Sequence, residues 1–402
     1  MNTNQHRRRI LVTDGEQRSA LAVVRSLGAA GHLVHVCASR TRSLAGASRF
    51  TQSEHVVADA LADPSQFADD IEALVSVNGI DTIIPMTESA LLAILPNRER
   101  FGNRLIPFTE ADTFASISDK QTVLAAATRV GIATPEQTVI PDAIAATQLD
   151  ASSVKYPVVV KPAHSVSTGS GARVKFSVRH ARSEDELRSI LLELDARAYP
   201  LLLQQRIIGP GVGVFALVWN GELVGQFAHR RIREKPPSGG ISVYRESIPV
   251  DPALLSASLA LLAEFGWRGV AMIEYKIDER TGTPYLMEIN GRFWGSLQLA
   301  IDAGVDFPRL LIEAATGSAP APVTHFRTNV RLRWFWGDVD HLIARLRRSE
   351  EELSLPDGSP SRWTAVRHFF ARHPDDINEI LRRGDMRPFL RESVQWFQSL
   401  GR

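Results

Sequence analysis

A chain of 402 residues is long for a single hydrophobic core, so two or three domains are expected. Its content of 44% hydrophobic and 23% charged residues is ordinary for a soluble globular protein, and a net charge of +1 gives no indication of nucleic acid. The basic start, MNTNQHRRRI, runs directly into a short apolar segment and so does not predict a signal peptide, and no apolar stretch approaches membrane-spanning length. The single cysteine, Cys37, excludes an intrachain disulfide and fits a reducing cytoplasm.

The first part of the chain predicts a parallel α/β domain. Ile10–Asp14 is expected to be a strand, Ala20–Gly31 a helix with apolar residues at helical spacing, and Leu33–Ala38 the next strand. Such a βαβ unit implies a right-handed crossover and a parallel sheet. The first loop lacks the G-x-G-x-x-G pattern, so a dinucleotide site is poorly supported.

Four polar residues follow the predicted strands of this domain: Asp14, Arg18, Thr87 and Glu88. Ligands of open α/β sheets bind beyond the carboxyl ends of strands, which makes these side chains candidates for contact with a substrate. Capping of the following helices is the simpler interpretation of each one taken singly.

Lysine is rare in this chain, since only six of its 46 basic residues are lysine. Lys120 lies in the first turn of a helix predicted over Gln121–Val130, where the helix dipole disfavours a cation and favours a nearby anion. Lys161 ends the apolar strand Tyr156–Pro162, and the loop that follows it, AHSVSTGSGAR, is rich in Ser, Thr and Gly. Such a loop can offer N–H groups and hydroxyls to phosphate oxygens, although a flexible linker is the alternative.

Two further segments suggest ligand contacts. Leu201–Ile208 is an apolar strand whose main-chain groups could recognise the edge of an adenine, or it is an ordinary sheet strand. Residues 229–246, with the sequence HRRIREKPPSGGISVYRE, are expected to form a loop rich in arginine. Arginine side chains on a loop suit a carboxylate or phosphate ligand, whereas a solvated basic loop is the alternative.

A hairpin is predicted from Val270–Ile277 and Pro284–Ile289, which flank a polar turn. Positions 274 and 288 are equidistant from the centre of that turn, so Glu274 and Glu288 are expected to face each other, with Asn290 on the same side. Opposed carboxylates need a compensating cation, and oxygen ligands suit Mg²⁺. A surface hairpin with solvated acids is the alternative.

Arg292 continues the alternation of this hairpin and could hold a phosphate or carboxylate. The chain beyond about Ser318 changes in composition, with arginine and tryptophan interleaved in Asn329–Trp336 and helical patterns in Asp338–Arg348 and Asp375–Leu400. Packing against the preceding domains is the favoured interpretation of this segment, and contact with a membrane surface or a partner is the other.

Taken in order, these motifs resemble the ATP-grasp superfamily, close to its carbamoyl-phosphate-synthetase-like and carboxylate–amine ligase branches. The resemblance extends from the N-terminal domain to about residue 317. It is carried by Asp119-Lys120, Val160-Lys161-Pro162, the SVSTGSG loop, Gln204–Ile208, Glu274 and Glu288-x-Asn290-x-Arg292. Many members also carry a glutamate for the ribose hydroxyls where this chain has Gly211-Val212-Gly213.

The resemblance implies two groups of site residues. The first group would bind ATP: Lys120 and Lys161 at the phosphates, Ser167, Thr168, Gly169, Ser170 and Gly171 in the closing loop, and Gln204 with the backbone of Gln205 and Ile207 at the adenine. The second group would hold two Mg²⁺ (or Mn²⁺) ions: Glu274, Glu288 and Asn290. The residues themselves, apart from the resemblance, suggest that Arg231 or Arg233 of the basic segment steadies an acylphosphate beside Arg292.

The expected fold is α/β and α+β in three parts. A Rossmann-like, parallel-sheet pre-ATP-grasp domain is expected over residues 1–113, an ATP-grasp domain with two subdomains that clamp ATP over 114–317, and a mostly helical C-terminal extension over 318–402.

The implied function is that of an ADP-forming ligase, which activates a carboxylate as an acylphosphate and joins it to an amine or similar nucleophile. The alternative is a catalytically idle ATP-binding sensor or scaffold. Expected partners are small-molecule carboxylates and amines, with no nucleic acid and no membrane span. The expected location is the cytoplasm, and a homodimer is left open.

Overall fold

Three β-sheets organise the chain, in the order in which the sequence supplies them. The computed structural model describes residues 7–167, 169, 171–318, 321–356, 358–371 and 373–400. Over these residues, a parallel sheet is followed by a small antiparallel sheet and then by a larger, mostly antiparallel sheet.

The N-terminal part is a parallel sheet with helices, as the βαβ pattern predicts. Its elements are Arg9–Val12 (β1), Arg18–Ala29 (α1), Leu33–Ala38 (β2), Thr51–Val56 (β3), Pro64–Val77 (α2), Thr82–Ile84 (β4), Glu88–Ile94 (α3) and Ala111–Ser118 (α4). The strands lie in the order β3-β2-β1-β4, and each neighbouring pair is parallel. The carboxyl ends of β1 and β4 therefore lie side by side and bring Asp14 to Thr87, whose hydroxyl donates a 2.9 Å hydrogen bond to it.

The second sheet is small and antiparallel. Helix Lys120–Arg129 (α5) precedes it and packs against the large core. The elements of the small sheet are Gln137–Ile140 (β5), Ala143–Thr147 (α6), Val158–Pro162 (β6), Arg179–Ala181 (β7), Glu184–Glu193 (α7) and Leu201–Gln205 (β8). The strand order is β5-β8-β6-β7. Apolar side chains of β6, β8 and α7 form a separate core beneath this sheet, which makes it a lobe with its own packing.

The third sheet is the largest, and it extends to the C-terminal part of the chain. Its elements are Gly211–Trp219 (β9), Glu222–Lys235 (β10), Ile241–Ser247 (β11), Pro252–Glu264 (α8), Gly269–Ile277 (β12), Pro284–Asn290 (β13), Leu297–Ala303 (α9), Phe307–Ala315 (α10), Arg331–Arg333 (β14), Phe335–Arg347 (α11), Arg362–Phe370 (α12), Asp376–Asn378 (β15) and Arg387–Ser399 (α13). The strand order is β13-β12-β9-β10-β11-β14-β15. One continuous hydrophobic core joins the N-terminal sheet to this large sheet.

The basic segment 229–246 is not the loop that the sequence suggested. Strand β10 continues through Lys235 and pairs with β11, so only the residues between these strands turn. The register shifts near Arg233 show a local irregularity in the pairing. Proline and glycine at the tip of this hairpin gave the whole segment the composition of a loop, although its arginines lie on strands.

The C-terminal part is mostly helical, as expected, but it also completes the large sheet. Strand β14 pairs with β11, and β15 pairs in parallel with β14. The segment Asp375–Leu400, predicted to be largely helical, therefore begins with a strand and is helical over Arg387–Ser399. Buried ion pairs tie this part to the rest of the chain. Arg18 and Arg245 both bind Glu379, at 2.5 and 2.6 Å, and Arg25 binds Asp385 at 2.7 Å.

None of the helices in the described part of the chain is both long enough and apolar enough to cross a membrane.

The carboxyl group of Glu392 on α13 is largely buried, and in the described part of the chain only one of its two oxygens is hydrogen-bonded. Trp334 Nε1 donates a 2.6 Å hydrogen bond to its Oε1, whereas its Oε2 is buried without a partner among the described residues. Burial raises the pKa of Glu392 from its ordinary value of 4.5 to about 7. Because the folded-state pKa lies above the unfolded-state value, ionisation destabilises the folded protein as the pH rises from about 4.5, and the cost is complete above pH 7.

Glu392→Gln should therefore stabilise the protein at pH 8 and leave its stability at pH 4.5 almost unchanged. A shift of this size corresponds to at most about 3 kcal/mol of unfolding free energy. Urea unfolding at the two pH values measures it. Glu352→Gln is the control, because that exposed carboxylate is stabilised by Ser349 and gains nothing from neutralisation. Equal effects of Glu392→Gln at both pH values would contradict the assignment.

Candidate active site

A cleft with a volume of about 660 Å³ lies between the small sheet and the large sheet. The small sheet contributes Lys161 and Gln204 to its lining, and the large sheet contributes Arg231, Glu274 and Glu288. Most of the positions that sequence analysis selected on separate segments therefore meet in one place.

The two glutamates face each other across strands β12 and β13. The register pairs Glu274 with Glu288 and Met272 with Asn290, as the symmetric positions in the sequence predicted. Pairing shifts immediately after Glu274, where the ladder passes from Glu274 and Glu288 to Tyr275 and Leu286. This irregularity lies beside the acidic pair. Irregular strand pairing is common next to active sites, where it changes the direction of a side chain.

A chain of hydrogen bonds continues from Glu288 along its own strand. Asn290 Nδ2 donates to Glu288 Oε1 at 3.0 Å, and Arg292 Nη2 donates to Asn290 Oδ1 at 2.9 Å. Arg292 Nη1 donates to Phe293 O at 3.0 Å. These contacts fix the spacing between the acidic pair and the guanidinium group of Arg292.

Arg231 neutralises Glu274 from the neighbouring part of the sheet. Its Nη2 lies 2.5 Å from Glu274 Oε2, and its Nη1 lies 2.8 Å from Glu234 Oε1. Burial raises the pKa of Glu274, and Arg231 opposes that rise. Arg231 is therefore placed in the cleft, where the sequence expected it, but it binds a carboxylate of the protein.

Two buried lysines complete the charge balance around the acids. Lys120 Nζ lies 2.8 Å from Ser165 Oγ, and Lys161 Nζ lies 3.4 Å from Met287 O. Burial lowers the pKa of Lys161, and Glu288 opposes that shift. Burial alone would raise the pKa of Glu288, but Lys120 and Lys161 bring it below its ordinary value. Glu288 is thus stabilised as a carboxylate.

The glycine-rich loop lies next to Lys120. Ser167 is buried, its N–H donates to Val174 O at 2.8 Å and its Oγ accepts from Val174 N at 2.9 Å. Gly169 and Gly171 have φ values of 121° and 86°, which favour glycine. Thr168 and Ser170 lie outside the described residues. The hydroxyl of Ser167 is therefore occupied by the loop itself, whereas the glycines permit the turn.

The expected adenine-binding residues also line the cleft. Gln204 Nε2 donates to Gln137 Oε1 at 2.8 Å, and the N–H of Gln205 donates to Glu136 O at 2.8 Å. Ile207 is buried beside them. The side chain of Gln204 is thus oriented by the neighbouring strand β5.

Arg233 does not line the cleft. Its guanidinium binds both carboxylate oxygens of Asp338 on α11, at 2.6 and 2.7 Å, and lies 4.4 Å from the ring centroid of Tyr244. The assignment of Arg233 to the substrate is therefore corrected, because a buried acid of the C-terminal part binds this side chain. That partner is 105 residues away in the sequence and could not be predicted from the basic segment.

The donor set of the acidic pair fits a hard divalent cation that is shared with phosphate. Glu274, Glu288 and Asn290 offer carboxylate and amide oxygens, the ligand type that Mg²⁺ prefers. Among the described residues, no group of three or more His, Cys, Asp or Glu side chains could hold a metal ion. Protein-bound Mg²⁺ is commonly held by one or two carboxylates together with phosphates and water, so a small protein donor set is compatible with it.

Sequence analysis missed several polar residues of the cleft, among them Lys276, His180, His229, Ser242 and Trp294. Lys276 had a detectable signal, because it is one of only six lysines and follows Glu274 by two positions. The others had none, since a single His or Ser in a strand pattern, or a single Trp after a strand, does not reveal which side it faces.

The glycines that replace the usual ribose glutamate have a structural cause. A Cβ on Gly213 would lie 2.6 Å from Phe215 Cζ and 3.0 Å from His229 Cδ2. A Cβ on Gly211 would lie 3.0 Å from Arg231 Cδ. The side chains of Phe215, His229 and Arg231 therefore occupy the space that larger residues would need.

The chain is similar to ATP-grasp proteins in part of its sequence and in its fold. A family model described as "ATP-grasp in the biosynthetic pathway with Ter operon" matches residues 197–337, about a third of the chain. This segment includes β8 to β14 and the acidic hairpin. The resemblance to the ATP-grasp superfamily is thereby confirmed.

Three solved structures with a similar fold share 14–18% identity with this chain. The L-amino acid ligase from Bacillus licheniformis is 16% identical, with 77% of this chain and 74% of that chain covered and a TM-score of 0.60. The biotin carboxylase domain of Hydrogenobacter thermophilus 2-oxoglutarate carboxylase, in complex with MgADP, ADP and bicarbonate, is 18% identical, with 81% and 73% covered and a TM-score of 0.62. The N5-carboxyaminoimidazole synthetase from Staphylococcus aureus is 14% identical, with 82% and 83% covered and a TM-score of 0.60.

Replacing Arg231 by Met should destabilise the protein and make its stability depend on Mg²⁺. Glu274 then loses its buried counter-charge, and breaking a buried ion pair costs about 3–5 kcal/mol. A divalent cation at Glu274 and Glu288 should restore part of this loss, as measured by urea unfolding with and without MgCl₂.

The control is Arg268→Met, which removes a partly exposed ion pair with Glu110. This change should cost little and should not respond to Mg²⁺. A loss of stability in Arg231→Met that Mg²⁺ leaves unchanged would argue against a metal at the acidic pair.

Proposed function

We propose that this protein is an ADP-forming ligase, which activates a carboxylate with ATP and joins it to an amine. The observation that carries the proposal is the meeting of one acidic pair with two buried lysines. Glu274 and Glu288 come from the large sheet, Lys161 comes from strand β6 of the small lobe, and Lys120 comes from helix α5, which packs against the large core. This charge pattern suits the transfer of a phosphoryl group, for which catalysis is mainly positioning and electrostatic stabilisation.

In the first step, an oxygen of the substrate carboxylate attacks the γ-phosphorus of ATP, and the bond to the β-phosphate oxygen breaks to release ADP. Lys120 and Lys161 would neutralise charge on the phosphates, and Gln204, Gln205 and Ile207 would orient the adenine. Mg²⁺ or Mn²⁺, held by Glu274, Glu288 and Asn290, would supply further charge neutralisation when bound. Gly169 and Gly171 would allow the loop to approach the phosphates.

In the second step, the nitrogen of an amine attacks the carbonyl carbon of the acylphosphate. Phosphate leaves, the nitrogen loses a proton, and a carbon–nitrogen bond is formed. Arg292 would hold the acyl or phosphoryl oxygens, since it lies at the end of the hydrogen-bond chain from Glu288. Arg231 would contribute through its position against Glu274.

Support for a ligase comes from the kind of protein that shares the fold, which includes the L-amino acid ligase and N5-carboxyaminoimidazole synthetase named above. The proposal includes a cytoplasmic location, where ATP is available and a buried free thiol such as Cys37 remains reduced.

Glu288→Gln should keep the fold and reduce ADP formation about a hundredfold or more, because a main charge stabiliser of the phosphoryl transfer is lost. The assay is ADP release with Mg-ATP, screened against paired libraries of carboxylates and amines, and circular dichroism checks folding. The control is Glu264→Gln, at an exposed ion pair with Arg129 outside the cleft lining. Undiminished ADP release by a folded Glu288→Gln protein would refute the assignment of the acidic hairpin.

Hydroxylamine should intercept the acylphosphate as a hydroxamate when ATP and the carboxylate are supplied without an amine. The yield should depend on the carboxylate and fall at least tenfold in Arg292→Ala, because the activated group loses a charged hydrogen-bond partner. A phosphorylated product stable to hydroxylamine would indicate a kinase. Bound ATP with neither hydroxamate nor carboxylate dependence would favour the idle nucleotide-binding protein.

A further inference from the structure

Arg18 is a cationic side chain of the cleft that the proposed reaction does not use. It is the first residue of helix α1, it lines the cleft, and its side chain is 10% exposed. Its place after the first strand of the N-terminal sheet made it a candidate for contact with a substrate. The N-terminal domain therefore contributes an arginine to a cleft that is otherwise formed by the later parts of the chain.

Three contacts hold the guanidinium of Arg18. Its Nη1 donates a 2.5 Å hydrogen bond to Glu379 Oε2, and its Cζ lies 3.9 Å from the centroid of the Trp334 ring. A Cβ on Gly295 would lie 3.1 Å from Arg18 Nη2, so this glycine lets the guanidinium lie against the segment that follows β13. The side chain of Arg18 is thus fixed before any ligand binds.

One edge of this guanidinium remains available to a ligand. Neither Nε nor Nη2 of Arg18 is hydrogen-bonded to another described residue, and neither atom is fully buried. The N–H groups on Nε and Nη2 are parallel and form the fork that binds both oxygens of a carboxylate or phosphate. An arginine that is already fixed loses little side-chain entropy when such a group binds.

The ion-pair cluster around Arg18 has more positive than negative charge. Arg245 is fully buried, and its Nη2 lies 2.6 Å from the same Glu379 oxygen that Arg18 binds. A second acid, Glu392, is hydrogen-bonded to Trp334 and is only partly ionised at neutral pH, because burial raises its pKa to about 7. A buried charge in excess is costly until it is paired, so this part of the cleft is complementary to an anion.

This cluster is separate from the charges that would serve phosphoryl transfer. Among the described residues, no ion pair joins Arg18, Arg245 or Glu379 to the acidic pair or to the three cations that neutralise it. Arg292 belongs to the acidic pair, because it is hydrogen-bonded to Asn290. The cleft therefore contains two cationic centres, one at the acidic hairpin and one at Arg18.

We propose that Arg18 binds a second anionic group of the substrate, separate from the carboxylate that is activated. This proposal rests on the proposed function and narrows its substrate class to a carboxylic acid that carries a further carboxylate or a phosphate. Both groups present two oxygens to the same guanidinium edge. Arg18 acts on the choice of substrate and takes no part in phosphoryl transfer.

Calorimetry tests this proposal without the natural substrate. The full-length protein, with and without saturating Mg-ADP, is titrated with malonate, succinate, glutarate, adipate and 3-phosphonopropionate, and with their neutral counterparts, the monoamides of the four diacids and propionate. At least one dianion should bind about tenfold more tightly than its counterpart. A preference for a diacid identifies a second carboxylate, and a preference for the phosphonate alone identifies a phosphate. Equal binding within every pair overturns the proposal.

Two variants and a matched control separate binding from structure. Arg18→Gln should abolish the preference, while Glu379 keeps its other arginine as a counter-charge. Gly295→Ala keeps the arginine but adds a methyl group 3.1 Å from Nη2, so it should weaken binding of the preferred dianion. The control is Arg25→Gln, which removes a buried ion pair with Asp385 from the same helix, outside the cleft lining, and should leave the preference unchanged.

A preference that persists in folded Arg18→Gln, or that is lost equally in Arg25→Gln, overturns the proposal. If Arg18→Gln does not fold, Gly295→Ala decides, and unchanged binding in that variant overturns the proposal.

ADP release measured on the same preparations distinguishes this proposal from the ligase assignment. Arg18→Gln should raise the KM for the preferred carboxylate at least tenfold and leave kcat nearly unchanged. Carboxylate-dependent ADP release with an unchanged KM in Arg18→Gln would refute the role of Arg18 and leave the ligase assignment standing. A preference for dianions that depends on Arg18, without ADP release or hydroxamate, would refute the ligase assignment and keep the anion site.

Discussion

Two carboxylates that oppose each other on neighbouring strands are the constraint on which the rest of this structure depends. Like charges at paired positions of a sheet destabilise it, and burial in the cleft increases the cost of keeping both ionised. Cations from three separate elements stabilise the two carboxylates: Arg231 from β10, Lys120 from α5 and Lys161 from β6. The charge balance therefore requires that the small lobe and the large sheet lie against each other.

The C-terminal part forms ion pairs with residues of the N-terminal helix and of the large sheet. Glu379 is buried and binds both Arg18 of the N-terminal helix α1 and Arg245 of β11, while Asp338 holds Arg233. Each acid is paired with at least one arginine from a distant part of the chain, so these ion pairs act as a set of tertiary restraints. Because breaking one partner of a buried pair is costly, they fix the C-terminal segment to the large sheet and to the N-terminal domain. Arg18 is thereby held at the cleft, which it also lines.

Local patterns predicted the parts of the site that depend on local geometry. The spacing of Glu274 and Glu288 about their turn was sufficient to pair them, since a hairpin relates positions by reflection about its centre. The position of Lys120 followed from the start of α5. The expected fold class followed from the order of strand and helix patterns.

What could not be predicted depends on contacts between distant segments. The sequence shows that Arg231 and Arg233 are two residues apart, but their partners are Glu274 and Asp338, and one arginine faces the cleft while the other faces α11. Composition favoured a loop over β10 and β11 because the tip of that hairpin contains proline and glycine. The burial of His229 and Trp294 is likewise a property of the packed sheet and helices around Phe215.

The glycines of β9 have a consequence for how the sugar of a nucleotide is recognised. Gly211 and Gly213 leave room for Arg231, Phe215 and His229, and the same positions cannot then carry an acidic side chain without displacing them. Arg231 is needed to neutralise Glu274. An acidic side chain at position 211 would occupy the space that the Arg231 side chain fills. In the proposed nucleotide site, neither position would therefore supply a carboxylate to the ribose hydroxyls. A preference of that site for ribonucleotides over deoxyribonucleotides would have to come from other residues of the cleft.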